Sequence, residues 1–359
     1  MIYLDYQATT PLAPEARAAM EPWLAGPDTM GFANPHSAHA PGRAARAAVE
    51  LAREQVAALL PPGGRVIFTS GASEALNLAI FGSGARSIAL SPIEHAAVID
   101  AAQTSGAALD WLPVGADGLV PADAPVRPGT ALVALMQVNN EIGTIQPVAA
   151  LAQTAHAAGA LLLCDAVQGA GRLAAPEGAD LIALSAHKLY GPKGIGALWV
   201  RDGVRLAPLI HGGGQEGGLR SGTLSPALCA GFGAAAALCT SQMKSDVDHV
   251  EKLWAIALAA LPGWQLNGSS TARWRGNVNL HRAGLDAARL ISDCRQVAFS
   301  AGSACASGSG RPSHVLRAIG LAPEAARGSI RIGFGRYTSA EQLREGCALI
   351  AAAAAMQGV

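Results

Sequence analysis

The sequence is poor in charge and especially poor in lysine. Only 14% of its 359 residues are charged, the 26 basic residues balance the 26 acidic ones, and only four of the basic residues are lysines. A chain without net charge has no general electrostatic attraction to nucleic acid or to an anionic membrane. Both kinds of partner are therefore disfavoured.

Several sequence signals are also missing. No apolar run reaches the roughly 18 residues of a membrane span, and MIYLDYQATTP lacks the basic and apolar regions of an export signal. The six cysteines stand singly without a CxxC pair, which argues against a zinc site or a disulfide framework. No GxGxxG or Walker loop follows the first strand, so a simple nucleotide-binding module is disfavoured. We expect a cytoplasmic protein without a metal.

Two of the four lysines, Lys188 and Lys193, lie close together in SAHKLYGPKG. Arginine stays protonated in proteins, whereas a desolvated lysine can become a neutral amine nucleophile. A lysine in a chain that otherwise uses arginine is thus a candidate for amine chemistry. Two ordinary surface lysines in a loop are the alternative.

Short apolar runs alternate with helical patterns between about residues 64 and 200. This alternation predicts an α/β fold with a parallel sheet covered by helices on both faces. The candidate strands are RVIFTS (65–70), SIALS (87–91), LDWLP (109–113), TALVALMQV (130–138), ALLLCD (160–165), LIALS (181–185) and GALWV (196–200).

The composition turns polar around residues 241–255, where a long helix is expected to lead into a second domain. The later segments GNVNLH, QVAFSAGSA and SIRIGFGR read as strands, with helices near 313–320 and from Ser339. This mixture predicts an α+β domain. We expect a large domain over 15–250 and a small domain formed by 1–14 and 251–359.

Polar clusters follow five of the candidate strands. Parallel strands of such a sheet bring their carboxyl ends to one edge, where ligands bind. Five clusters at one edge predict a cofactor pocket. They are SGASE, PIEH, NNEIG, DAVQ and SAHK.

Some of these side chains suit a phosphorylated pyridine. Ser73 opens a helix whose N-terminus favours an anion, although a plain helix cap has the same pattern. Asp165 follows an apolar strand and needs a cationic partner, either a protonated pyridine nitrogen or an arginine. Gln168 and Asn140 can hydrogen-bond a phenolic oxygen.

Two further residues have open interpretations. Arg331 alternates with apolar residues on a strand, so its guanidinium either binds a carboxylate in a cleft or is half exposed. His95 stands at a helix start, where a polar residue that contacts solvent is the ordinary interpretation.

Together these residues resemble the cysteine desulfurases of the NifS/IscS type, in the class V aminotransferase group of fold-type I enzymes that use pyridoxal 5′-phosphate (PLP). The resemblance covers nearly the whole chain. The matching motifs, in order, are YLDYQATTP, NPHSAH, FTSGASEALNLAI, VNNEIG, CDAVQ, SAHKLYGPKGIGAL, GGGQEGGLRSGT, SAGSACASGS and SIRIGFGR.

The resemblance implies a large domain with a mainly parallel seven-stranded sheet, a smaller α+β domain, and PLP held as a Schiff base by Lys188. It also implies roles for other residues. His95 would stack on the pyridine ring, Asp165 would pair with its nitrogen and Gln168 would bond its phenolic oxygen. Asn140 and Arg331 would contact the substrate carboxylate and the cofactor. The implied phosphate contacts are Ala72, Ser73, Ser185, His187 and, across a homodimer, Thr223.

Cys305 matches the nucleophilic cysteine of this family. The resemblance implies that L-cysteine becomes L-alanine while its sulfur stays on Cys305 as a persulfide, for transfer to an acceptor protein in iron–sulfur cluster or thio-cofactor assembly. The surrounding SAGSACASGSG suits a movable loop, and the attack requires the thiolate.

The sequence departs from the family at a few positions. Gly217 stands where an arginine is common, Ala75 and Leu76 are less usual, and the chain ends at Val359 without the longer tail of some relatives. The resemblance therefore supports desulfuration more strongly than docking to a scaffold protein. One alternative is an aminotransferase or a lyase that acts on another amino acid, such as selenocysteine or cysteine sulfinate. A second is a sulfur-carrier scaffold or partner-binding module without turnover of its own.

Overall fold

A computed structural model describes residues 1–24, 26–302 and 313–359. The strands within these residues are β1 (Ile2–Tyr3), β2 (Gly64–Thr69), β3 (Ser87–Leu90), β4 (Ala108–Trp111), β5 (Leu132–Ala134), β6 (Leu161–Asp165), β7 (Leu181–Ser185), β8 (Gly196–Arg201), β9 (Gln265–Leu266), β10 (Asn277–His281), β11 (Val297–Ala298), β12 (Ser300–Ala301) and β13 (Ser329–Gly333). The helices are α1 (Pro14–Met20), α2 (Ala40–Ala57), α3 (Ala72–Ser83), α4 (Ala96–Thr104), α5 (Val148–Ala157), α6 (Pro226–Ala260), α7 (Ala287–Asp293), α8 (His314–Ala318), α9 (Pro323–Arg327) and α10 (Ala340–Ala355).

Seven strands form the main sheet, in the order β2-β8-β7-β6-β5-β3-β4. Only β8 is antiparallel to its neighbours, and the remaining pairs run parallel. All five residues of β7 are buried, which requires cover on both faces and explains why its sequence is apolar throughout. Each of the seven predicted strands is present, so the predicted α/β fold with a mainly parallel sheet is confirmed.

The long helix α6 packs against α2 through a glycine. Ser225 caps its N-terminus by accepting a hydrogen bond from Leu228 N, and Pro226 occupies the first turn, where no intrahelical donor is needed. A Cβ at Gly233 would lie 2.6 Å from the Cα of Ala52, so the two helices approach at this point more closely than a side chain permits. The sequence interpretation did not include α1 and α2.

A second sheet has the antiparallel order β12-β13-β10-β9, and β1 pairs with β11 in parallel. Its apolar residues form a second core together with α10, which begins with a capping box between Ser339 and Gln342. The division of the chain at residue 250 stays a prediction, because α6 runs without a break through that point. None of the helices in the described ranges is long and apolar enough to cross a membrane.

Candidate active site

A cavity of about 540 Å³ opens where the parallel strands of the main sheet end. Each of the five polar clusters contributes to its wall, as expected for side chains at the carboxyl edge of an α/β sheet. Ten of the twelve predicted site residues line it: Ala72, Ser73, His95, Asn140, Asp165, Gln168, Ser185, His187, Lys188 and Arg331. The structure brings these residues together, while their individual roles stay predictions.

The other two predicted residues lie elsewhere. Thr223 is exposed and does not line the cavity of its own chain. Cys305 falls within 303–312, outside the described residues. In the described ranges, no group of three His, Cys, Asp or Glu side chains is arranged to hold a metal ion.

Asp165 is the last residue of β6 and is only 7% exposed. Its Oδ1 accepts a hydrogen bond of 3.0 Å from the Val167 N–H. Burial raises the pKa of this carboxyl, although His95, the Val167 N–H and Lys188 act in the opposite direction. A cationic group in the cavity would stabilise its ionised form.

His95 caps the N-terminus of α4, with its Nδ1 accepting a hydrogen bond of 3.1 Å from Ala97 N. This bond leaves the proton of a neutral imidazole on Nε2. Burial lowers the pKa of His95, against the opposing effect of Asp165. The side chain therefore offers an uncharged ring to the cavity.

Lys188 ends a short turn after β7 and is covered by the N-terminal segment. Its Nζ donates to the carbonyl oxygens of Gln7 at 2.6 Å and Ala8 at 2.9 Å. His187 lies 3.2 Å from the Thr9 hydroxyl, and burial together with Lys188 and Lys193 lowers its pKa to about 4. The amine is thus held in place by backbone carbonyls.

Small residues at the start of α3 form another part of the cavity wall. Gly71, Ala72 and Ser73 all line it, and the helix N-terminus leaves backbone N–H groups available to an anion. Glu74 accepts from Ser70 N at 2.7 Å and pairs with Arg220 at 2.8 Å. The ion pair attaches the segment RSGT (220–223) to this part of the cavity wall.

Arg331, on β13, approaches the cavity from the second sheet and is only 1% exposed. Its Nη2 pairs with Asp5 Oδ1 at 2.7 Å and its Nη1 donates to the Asn140 carbonyl at 3.1 Å. The buried Nε has no hydrogen-bond partner within the described part of the chain. Asn140 and Arg331 are thereby joined at one wall.

Sequence reasoning missed several residues of the site. The carbonyls of Gln7 and Ala8 hold the lysine, although YLDYQATTP was noted only as a matching motif. Lys193 also lines the cavity, although no role in the site was predicted for it. A carbonyl has no sequence signal, but a second lysine five positions after the first could have been considered as a wall residue.

A mainly parallel sheet with a lysine and a buried aspartate at its carboxyl edge is the arrangement of an α/β enzyme of the aminotransferase class. The family model described as "Aminotransferase class-V" matches residues 2–345, and the chain belongs to this family. Within it, the chain belongs to the cysteine desulfurases of the NifS/IscS type, as the most similar relatives show.

"Cysteine desulfurase IscS" of Rickettsia akari is 41% identical, over 95% of this chain and 88% of the relative. "Cysteine desulfurase, mitosomal" of Encephalitozoon cuniculi is 42% identical, over 95% and 84%. Among solved structures, a "NIFS-LIKE PROTEIN" has a TM-score of 0.88 at 30% identity, covering 97% of this chain and 98% of the other. "SspA in complex with cysteine" has a TM-score of 0.82 at 34% identity, covering 94% and 100%.

Proposed function

We propose that the protein is a PLP-dependent cysteine desulfurase that converts L-cysteine to L-alanine and retains the sulfur as a persulfide on Cys305. The observation that carries the proposal is the meeting of the Lys188 amine and the buried Asp165 carboxylate in one cavity. Membership of the family supports it, and one similar solved structure is described as a complex with cysteine.

The residues of the cavity fit PLP. Asp165 has no arginine or lysine as an ion-pair partner among the described residues, and a protonated pyridine nitrogen would supply the missing cation. The N-terminus of α3 with Ser73, and Ser185 with His187, would hold the phosphate. Gln168 is buried and would donate to the phenolic oxygen, while Lys188 would attach the group covalently.

When bound, PLP supplies an electron sink for the charge that develops at the substrate α-carbon. The side chains of the protein transfer the proton, keep the ring nitrogen protonated and bind the substrate. Lys188 accepts and returns the proton of that carbon, and Asp165 keeps the ring nitrogen protonated. Arg331 would bind the substrate carboxylate, for which its buried Nε is available beside the cavity.

Sulfur transfer balances without an external oxidant or reductant. The thiolate of Cys305 attacks the substrate sulfur, so an S–S bond forms while the substrate C–S bond breaks. The carbon that loses sulfur gains a proton and becomes the methyl group of alanine. A second protein would then take the terminal sulfur, for iron–sulfur cluster or thio-cofactor assembly. A cytoplasmic location remains a prediction.

The proposal includes the division into domains and a homodimer. Residues 15–250 would form the large domain, and 1–14 with 251–359 the small domain that carries Cys305. The pairing of β1 with β11 supports the assignment of the N-terminus to the small domain. Thr223 would reach the phosphate of the partner subunit, which its exposed position in its own chain supports.

Sulfide release from L-cysteine, with alanine as co-product, tests the function. We expect the wild type to accumulate a persulfide on Cys305 and Cys305→Ser to lose sulfide release. Cys294→Ser is the matched control, because Cys294 is buried in the second core and does not line the cavity. Undiminished release by Cys305→Ser would contradict the persulfide route. Failure of the wild type to act on L-cysteine would favour another amino-acid substrate.

A further inference from the structure

Arg172 is a buried arginine that contacts uncharged groups behind the cavity. It is 8% exposed, and its Nη1 donates to both the carbonyl oxygen and the Oε1 of Gln168, each at 2.9 Å. Its Nη2 donates to the carbonyl oxygen of Lys188 at 2.6 Å. The guanidinium carbon lies 5.7 Å from the centre of the Trp274 ring. One arginine thus joins two residues of the cavity wall.

This arrangement is costly for stability. No ion pair of the described residues includes Arg172. A buried cation without a carboxylate partner loses its hydration, and burial accordingly lowers the pKa of Arg172. Local arrangements that cost stability are concentrated at functional sites. The cost therefore indicates a functional role for the contacts that Arg172 makes with Gln168 and Lys188.

The contact with Gln168 determines which way its side-chain amide points. Oε1 accepts from Arg172, so Nε2 faces the other way and donates to the Gln7 carbonyl at 3.0 Å. The reversed amide would place an NH₂ donor against the guanidinium, which has no acceptor. Gln168 lines the cavity, and its Nε2 carries a second N–H besides the one donated to Gln7.

We propose that Arg172 is a positioning residue that keeps the N–H of Gln168 directed at the phenolic oxygen of the cofactor and fixes the backbone turn that carries Lys188. This inference rests on the function proposed above. Arg172 does not line the cavity, so it would act only through the two residues it binds.

The readout is the pH midpoint of the visible absorbance band of the PLP-loaded enzyme, measured without substrate. A donor directed at the phenolic oxygen stabilises its anion and lowers this midpoint. Arg172→Met removes the donor and the charge at similar length, so we expect the midpoint to rise by about one pH unit. Arg172→Lys should shift it less, in the same direction.

Other charged groups near the lysine are unchanged between the variants compared. Asp165, His95 and His187 interact electrostatically with Lys188, and Lys193 acts on His187. Because these four side chains are identical in every variant, they do not produce a difference between midpoints.

Arg273 offers a matched control on the same chain. It is 4% exposed, donates to the backbone carbonyls of Asn267, Ser269 and Asn277, and lies 5.2 Å from the ring of Trp254. It does not line the cavity. Arg273→Met also removes a buried guanidinium that donates to backbone carbonyls, yet it should leave the absorbance midpoint in place.

A double-mutant comparison separates positioning from direct charge. In a Gln168→Met background, Arg172→Met should give less than half the shift that it gives in the wild type. The inference is overturned if Arg172→Met shifts the absorbance midpoint equally in both backgrounds or does not shift it at all. It is also overturned if Arg273→Met produces the same shift. If Arg172→Met does not fold, Arg172→Lys takes its place in the comparison. An unchanged absorbance midpoint in Arg172→Lys would then overturn the inference.

The two proposals fail in different ways. A wild-type chain that gives no visible band with PLP overturns the proposed function and this inference with it. A normal band whose midpoint ignores Arg172 overturns this inference alone.

Discussion

The turn that follows Lys188 has a strained backbone. Tyr190 has a φ of 69°, a conformation that an aromatic residue rarely adopts and that costs on the order of 1–3 kcal/mol. Its N–H donates to the Thr10 hydroxyl at 2.7 Å, and its own hydroxyl accepts from Arg336 N at 3.0 Å. These contacts offset the cost, and the strain lies in the segment that presents the amine.

The two lysines of this segment should behave differently. Lys188→Ala removes the amine that the Gln7 and Ala8 carbonyls hold, so we expect PLP to wash out on dialysis with loss of the covalent band. Lys193 is exposed at the edge of the cavity, so Lys193→Ala should keep the yellow colour. Absorbance after dialysis and borohydride treatment checks both variants. A retained covalent band in Lys188→Ala would refute the assignment.

Glu94 should make stability depend on pH. Its side chain is fully buried, Oε1 accepts from Met136 N at 2.8 Å, and burial raises its pKa from 4.5 to about 8. The folded state thus binds this proton more tightly than the unfolded state. The contribution is present below pH 4.5 and is lost as pH rises through about 8.

We therefore expect the free energy of unfolding to fall as pH rises across this window, with a slope of up to about 1.4 kcal/mol per pH unit from this group. Glu94→Gln, which cannot ionise, should flatten the profile. Urea unfolding of the loaded enzyme at several pH values between 5 and 8 measures it. Glu341→Gln, at an exposed carboxyl, is the control, and an equal change there would contradict the assignment to Glu94.

The sequence predicted the side chains of the site better than its backbone. Asp165 could be found because an ionisable residue at the end of an apolar strand is unusual, and Lys188 because lysine is rare in a chain that otherwise uses arginine. The Gln7 and Ala8 carbonyls could not, because every residue has one and only the folded chain places two beside an amine. Arg172 was equally hidden, since one arginine among many gives no sign that it will be buried.

At the scale of elements, long apolar strands were predictable and very short ones were not. The strands β1 and β9 have only two residues each, too few to display any periodicity, whereas the segment QVAFSAGSA, expected as one strand, contains the two separate two-residue strands β11 and β12. They exist because their partners in the second sheet and at the N-terminus hold them, which is a tertiary effect. The contact between α2 and α6 likewise depends on tertiary packing.

Gly233 allows us to test that contact. A valine there would place its Cβ 2.6 Å from Ala52 Cα, so we expect Gly233→Val to lower the free energy of unfolding by at least about 1–3 kcal/mol. Helix propensity alone favours valine over glycine slightly, so a loss reports the packing between the helices. Urea unfolding checks it, with Ala255→Val at an exposed position of α6 as control. An unchanged stability would show that the helices separate without cost.

At the scale of the whole molecule, the RSGT segment leads away from its own cavity. Arg220 pairs with Glu74, which lines the cavity, but Thr223 three residues later is exposed and absent from the lining. A symmetric dimer would place one subunit's segment beside the other's site. Each site would then combine Lys188 of one subunit with Thr223 of the other.

A hybrid dimer tests this arrangement directly. Thr223→Asp places a negative charge where the phosphate is expected, and the exposed position should tolerate it. Homodimers of Thr223→Asp and of Lys188→Ala should both be nearly inactive. A hybrid with one subunit of each kind, isolated with two affinity tags, should recover about half of wild-type sulfide release, because one of its two sites has both native residues. If Thr223 served its own cavity, every site of the hybrid would carry one defect and no activity would return.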